Sequence, residues 1–403
     1  MPWFNREFIN ALPKTDLHLH LDGSLRINTL IELAQAAGVA LPAPDEKGLR
    51  ELVFKDSYQD LGEYLRGFGL TTAVMQTPDA LMRVAYELML DNAAEGVRYL
   101  EVRFAPQLLM SESFSFAEVM NAVDQGLRQA RDELNGRLSP DEAAYDYGII
   151  VCAMRFFTRD FSPYYRDFCR VHASASRPEL TRLASLELAR SAVQLHAESN
   201  IQLVGFDIAG AENGFPACEH TESYALIHKA LLGKTVHAGE AYGPESIYQA
   251  LTQLNADRIG HGLHLFDAEM VLHPKTKNRA EYVERLVSFL ADRRITLEVC
   301  LSSNLQTTPE IGELAKHPFG KMLERGLSLS LCTDNRLVSN TSVSREIELA
   351  LTHFSIDAKR LKTLVMTGFQ HSFFYQPYAE KQAYIARVAR YYDAVAKQFG
   401  MPG

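Results

Sequence analysis

The run Asp16-Leu17-His18-Leu19-His20-Leu21-Asp22 alternates polar and apolar residues without a break. On a β-strand successive side chains point to opposite faces, so Asp16, His18 and His20 share one face and the leucines the other. Two neutral imidazoles side by side at the C-terminal end of a strand form half of a metal site. Three more stretches offer the rest. Lys-Thr-Val-His-Ala-Gly-Glu carries His237 and, on a glycine-loosened turn, Glu240; Arg-Ile-Gly-His-Gly carries His261 between glycines that let backbone approach a ligand; Leu-Cys-Thr-Asp-Asn carries Asp334. Singly, each histidine reads as a hydrogen-bonded core residue and each carboxylate as a helix cap. Agreement among four separate strand ends favours a site, and three imidazoles with one carboxylate suit zinc better than calcium or magnesium.

Residues so far apart need a scaffold that brings strand ends together. Candidate strands fall at Thr15–Leu19, Arg98–Phe104, Tyr147–Met154, Ile201–Phe206, Lys234–Val236, Arg258–Ile259, Thr296–Val299 and Leu327–Leu331. Helical patterns lie between them, as in Pro78–Glu95 and Leu180–Ala197, where apolar residues recur at helical spacing. Eight strands with helical crossovers, and no Gly-rich dinucleotide loop after the first, predict an α/β fold of the (β/α)8 TIM-barrel kind, with an open α/β sheet as the alternative. Active sites of such barrels gather at the C-terminal ends of the strands.

Length alone allows the 403 residues one to three domains. Ligands near positions 18 and 334 that meet at one metal require the span between them to be one unit. The expectation is a single domain over 1–403, with the barrel at about 12–375 and C-terminal helices at 376–403. Surplus length is expected in Leu41–Phe68, in His264–Lys277 and after Asp357.

Composition is that of a globular protein, 47% apolar and 23% charged. A formal charge of −9 without a Lys/Arg cluster argues against nucleic acid and anionic membrane as partners. Five scattered cysteines without CxxC favour reduced thiols. With no signal-peptide pattern at the start and no apolar stretch of about 20 residues, the expected location is the cytoplasm.

The segments HLHLDGSL, VGFDIAG, TVHAGE, RIGHGLHL and LCTDN, in this order, resemble the adenosine deaminases of the amidohydrolase superfamily. The resemblance runs from about Leu12 to about Tyr375. It implies that His18, His20, His237 and Asp334 bind one zinc per chain, that Glu240 and His261 do proton chemistry, and that His20, Asp22 and Gly210 contact the nucleoside. The implied reaction is hydrolytic deamination of adenosine, and of 2′-deoxyadenosine, to the inosine product and ammonia, with a small-molecule purine nucleoside as partner. Zinc would acidify a water aimed at C6, His261 would accept or orient its proton, and protonated Glu240 would donate to the ring nitrogen beside C6.

Two positions bear on the substrate. Adenine deaminases and some aminofutalosine deaminases tend to have Glu where this chain has Asp22; the shorter carboxylate leaves room for a ribose hydroxyl, the other reading being an N-cap for a helix near Ile27. Asn335 stands where many family members have Asp, and its amide offers N–H donors to a purine acceptor without a protonation cost. Adenine, methylthioadenosine and aminofutalosine are the alternative substrates. An amide or ester hydrolase of the superfamily is a further reading, although such sites commonly use a strand lysine between two metals and lack the HAGE glutamate. A silent nucleoside-binding barrel is another, but mere binding does not need all six residues.

Several residues are set aside. His196-Ala197-Glu198 matches half the motif of the other zinc deaminases, but no PCxxC follows. Cys300 and Cys332 read as core, His264, His273 and His317 as surface, Arg336 as a solvated charge or else a contact to an anionic substrate, and Glu101 with Arg103 as a structural pair. Asp207 reads as orienting a zinc ligand or as a cap. Leu65, Phe68 and Leu70 read as lid or purine contacts, or core.

Overall fold

Eight strands pair in sequence order, each parallel to the next, in a computed structural model that describes residues 3–401. They are β1 Lys14–His20, β2 Val97–Phe104, β3 Asp146–Met154, β4 Leu203–Ala209, β5 Gly233–Ala238, β6 Arg258–His261, β7 Thr296–Val299 and β8 Ser328–Leu331. The ring closes just past β8, where Asp334 N donates to His18 O and His20 N to Asp334 O, both at 2.8 Å. This is the expected (β/α)8 barrel, and no open sheet forms.

Strand existence follows the sequence pattern and strand ends do not. His237 lies within β5 and His261 is the last residue of β6, whereas the sequence pattern placed both just beyond. Their polar side chains face a polar barrel interior, so the ladder continues through them. For the same reason β4 runs on through Asp207 to Ala209. The helices start where their caps lie. Thr77 accepts from Ala80 N to open Pro78–Ala94, and a Ser176–Glu179 capping box opens Arg177–Glu198.

The segment after the first helix folds into three short helices, Glu46–Leu52, Leu61–Leu65 and Phe68–Val74. The stretch 264–277 is loop with one turn at Ala268–Met270. Part of the C-terminal surplus is barrel wall instead: helix Ala358–His371 packs on β8 and β1. A Cβ on Gly368 would stand 1.9 Å from Thr15 Oγ1, which is how closely that helix approaches β1.

Charged groups fill the middle of the barrel. Arg103 donates to Asp207 Oδ2 at 2.7 Å and to Glu298 Oε2 at 2.9 Å, while Arg258 donates to Glu298 Oε1 at 2.6 Å and to Glu101. The expected Glu101–Arg103 pair does not form, because both project inward and each finds a partner across the barrel. All five groups are buried, so removing any one leaves an uncompensated charge, a loss of about 3–5 kcal/mol. Below them Phe373 plugs the N-terminal end, its ring 3.7 Å from the Arg258 guanidinium carbon. A Cβ on Gly233 would stand 2.4 Å from that ring.

Two buried histidines away from the metal-ligand candidates each contribute a loss of stability in acid. Burial, aided by Arg155, lowers His220 to about 3, and burial lowers His317 to about 3. His317, expected at the surface, is 3% exposed. In the unfolded chain each takes up a proton near pH 6.5. A depressed folded pKa gives stability that is full above that value and lost as pH falls toward 3, by about 1.4 kcal/mol per unit per histidine. Urea unfolding of the parent and of His220→Asn at pH 7, 6 and 5 should therefore show the variant's stability relative to the parent rising with acid by about one proton's worth; a difference that does not change with pH would contradict this assignment.

Candidate active site

At the C-terminal end of the barrel His18, His20, His237 and Asp334 converge, all buried. His237 Nε2 lies 3.0 Å from His18 Nε2 and 3.1 Å from His20 Nε2. Asp334 Oδ1 lies 3.4 and 3.5 Å from the Nε2 atoms of His18 and His20. Four atoms at about 2.1 Å from one centre in a tetrahedron stand about 3.4 Å apart, so these separations are those of a ligand set.

The outer edges of two rings decide their protonation. His18 Nδ1 is 2.9 Å from Glu298 Oε2, and His237 Nδ1 is 2.8 Å from Asp207 Oδ2. Burial is outweighed at both carboxylates, by Arg103 and Arg258 at Glu298 and by His237 and Arg103 at Asp207, and both are held well below the usual range. An ionised carboxylate only accepts, so each Nδ1 carries a proton, and each ring in its neutral, metal-binding form presents an Nε2 lone pair. Lone pairs facing one another at 3.0 Å repel unless a cation lies between them, and that is the fit of this cluster to a metal. Gly260 leaves room for it, since a Cβ there would stand 2.9 Å from His18 Cε1. Asp16, on the same face of β1, accepts from Thr333 Oγ1 at 2.6 Å and so fixes the loop that carries Asp334.

Glu240 and His261 face the cluster, with His261 Nε2 3.7 Å from Glu240 Oε1. Burial, with the Asp334 and Glu212 carboxylates, raises Glu240 well above the usual range and so favours its protonated form. Burial holds His261 neutral. A chain of hydrogen bonds fixes its tautomer. Phe319 N donates to His317 Nδ1 at 3.1 Å, so neutral His317 carries its proton on Nε2, 3.2 Å from Asn304 Oδ1. The amide nitrogen of Asn304 then faces His261 Nδ1 at 3.0 Å and donates to it. His261 must hold its own proton on Nε2, the atom left without a partner toward the cluster.

A cavity of about 960 Å3 opens over this floor and takes in His20, Asp22, Gly210 and Asn335. Asp22 is buried, with Oδ1 unpartnered, and burial pushes it up to about 7. It caps no helix: the helix Ile27–Ala37 begins at Arg26 without a side-chain cap. Gly210 holds φ +92°, and a Cβ there would press on Met154 Cε at 3.2 Å. Asn335 differs from expectation in one respect, since its amide nitrogen already donates to Tyr64 Oη at 2.8 Å. Leu65 and Phe68 line the cavity; Leu70 is not among the lining residues. Arg336 is not a free surface charge but pairs with Glu95, Cys300 and Cys332 are core, and His196 bonds Leu203 O.

Sequence reasoning passed over Glu298, Glu212 and Asn304 and set His317 aside as a surface residue. Glu212 accepts from the backbone N–H of Gly239, Glu240 and Ala241 at 2.7–2.9 Å and from the Ser246 hydroxyl, clamping the turn that aims Glu240. A charge inside the short strand Thr-Leu-Glu-Val was the available signal for Glu298; the others are assembled only by packing.

The family model described as adenosine deaminase matches residues 13–391. An adenosine deaminase of Mycobacterium avium is 35% identical over 386 residues, 95% of this chain and 96% of its own length. The chain belongs to the adenosine deaminase family. Family members are metal-dependent hydrolytic deaminases acting on purine C–N bonds. Two solved structures share the family fold: an adenine deaminase from Arthrobacter aurescens (TM-score 0.74, 23% identity, 94% of this chain and 98% of that one) and an amidohydrolase from Burkhoderia ambifaria with bound Zn (TM-score 0.75, 22% identity, 98% and 95%). No helix among the described residues is long and apolar enough to cross a membrane.

Proposed function

We propose that this chain is a zinc-dependent hydrolase that replaces the 6-amino group of adenosine or 2′-deoxyadenosine by oxygen, releasing ammonia. The observation that carries the reading is the convergence of three imidazole Nε2 atoms and Asp334 beside the buried Glu240 carboxyl and His261 Nε2. His18, His20, His237 and Asp334 would hold one zinc, the metal named with the Burkhoderia ambifaria structure. When bound there, zinc supplies Lewis acidity that makes water a nucleophile at neutral pH.

The side chains do the rest. Glu240 gives its proton to the ring nitrogen beside C6, so charge does not build on the purine as oxygen adds. His261, fixed as the Nε2–H tautomer, donates to the attacking oxygen and orients it rather than accepting its proton. Asp334, the carboxylate of the ligand set, takes that proton and returns it to the departing amine. The second water proton restores Glu240 as the C6 carbonyl forms. The free Asp22 oxygen supports a nucleoside over a bare base, because a ribose hydroxyl can donate to it.

The test is metal analysis joined to ammonia release over adenosine, 2′-deoxyadenosine, adenine and methylthioadenosine, with and without chelator. One zinc per chain and chelator-sensitive turnover of the nucleosides are expected. Turnover of none of these purines by zinc-loaded protein would sink the reading.

A further inference from the structure

The hydrogen-bond chain that fixes His261 does not end in the barrel. It runs outward through Asn304 to His317, whose Nδ1 accepts from Phe319 N at 3.1 Å, and so ends on the 314–319 turn that leads into the helix Phe319–Glu324. Beside that turn lies a cavity of about 490 Å3, within the ~300–1,000 Å3 of small-molecule sites. It shares no lining residue with the active-site cavity. His317 belongs to its wall, so the same ring stands between the chain to His261 and this second cavity.

The wall selects for its contents. Lys316, Lys321 and Arg360 line it against one acid, Glu324, on a chain whose formal charge is −9. None of the three is spent on a close ion pair: Lys316 has a 3.7 Å contact with Glu313, both well exposed, and Lys321 and Arg360 have none among the described residues. Such a contact holds an ammonium weakly. Between the cations the wall is aromatic. Lys321 Nζ lies over the Phe266 ring at 4.3 Å from its centroid, and Phe354 packs so close to the backbone that a Cβ on Gly320 would stand 3.2 Å from its ring. A flat apolar group has rings to cover there, and an anion attached to it has three cations to meet.

We propose that this cavity is a second ligand site, that it takes a small phosphate-bearing organic anion with a flat apolar part, and that its occupancy acts on His261 through His317. Lys316 immediately precedes His317, and Lys321 follows Phe319 by two residues. An anion held by both ties down the segment that carries the bond from Phe319 N to His317. That segment then keeps Asn304 donating to His261, and His261 keeps its N–H on the atom that faces the reacting oxygen. The coupling rests on the deaminase reading and adds regulation to it; the binding does not depend on that reading.

The zinc-loaded full chain is titrated calorimetrically with phenyl phosphate and with inorganic phosphate at low salt, and kcat on adenosine is measured with and without saturating phenyl phosphate. One phenyl phosphate should bind per chain, about 10-fold more tightly than phosphate and less tightly as salt rises. With it bound, kcat should rise about 5-fold, the lower end of coupling between sites. The Lys316→Gln, Lys321→Gln, Arg360→Gln triple variant should lose both the binding and the response while keeping the basal kcat. Asn304→Ala, which breaks the chain, should bind phenyl phosphate like the parent without the rise in kcat. No binding, or binding unchanged in the triple variant, would overturn the site. Phosphate bound as tightly as phenyl phosphate would overturn the flat apolar part. A parent whose kcat does not respond, or an Asn304→Ala variant whose kcat still does, would overturn the action through His317. Adenosine left unconverted by a parent that binds phenyl phosphate at this cavity would overturn the deaminase reading, and the coupling with it, and leave the site standing.

Discussion

Glu240→Gln should lower kcat by about 10²–10⁴, the usual contribution of a positioned general acid, while one zinc stays bound and KM moves little. The amide matches the protonated carboxyl in shape and keeps an N–H toward the purine, but it has no proton to give. Stability supplies an independent reading with the opposite sign. Burial and the Asp334 and Glu212 carboxylates raise the folded pKa of Glu240 above its unfolded value. Between those two values the folded state holds a proton that the unfolded state has released, so at neutral pH the group costs stability, increasingly as pH rises. The glutamine does not titrate and removes that cost. The variant should therefore be nearly inactive yet unfold at higher temperature than its parent at pH 7 and above, with the difference vanishing near pH 4. A variant that turns over within tenfold of the parent would remove Glu240 from the chemistry.

Residues that carry chemistry on regular strands were legible. Alternation alone put His18 and His20 on one face of β1, and polar residues at the ends of apolar runs marked His237, His261 and Asp334. What the alternation could not show is what stands behind each ring. Glu298 and Asp207 bind the far edges of His18 and His237 from β7 and β4, partners distant in sequence whose meeting depends on barrel closure. Loop residues were the least legible. His317 sits in a stretch that reads as loop, yet its place under Asn304 makes it a buried fixed point that sets the tautomer of His261. Asn335 was recognised as a departure from the family pattern, but the Tyr64 hydroxyl that takes one of its N–H groups comes from the short helices between β1 and β2, whose packing no periodicity announces.

Glu212 is the severest test of whether the site depends on a fixed backbone. Its carboxylate receives three consecutive N–H groups, those of Gly239, Glu240 and Ala241, and a serine hydroxyl, all buried or nearly so. Glu212→Ala leaves the three donors without acceptors, at about 1–3 kcal/mol each if water cannot reach them. Against a total stability of about 5–15 kcal/mol that loss is large, and the urea midpoint should fall sharply. Relaxation of the turn would also carry Glu240 away from the ring nitrogen, and a displacement of about 1 Å is enough to cost 10²-fold in rate. Glu212→Gln separates the two effects. It keeps one acceptor oxygen but turns an NH₂ toward backbone donors, so two donors oppose each other while the volume is preserved. Its kcat should fall about 10²-fold with a smaller loss of stability than alanine causes and with zinc content unchanged, since none of the four metal-ligand candidates bonds to Glu212. Parent-like turnover and stability in both variants would mean that the 239–241 turn holds its shape without the carboxylate, and that Glu240 owes its aim to packing alone.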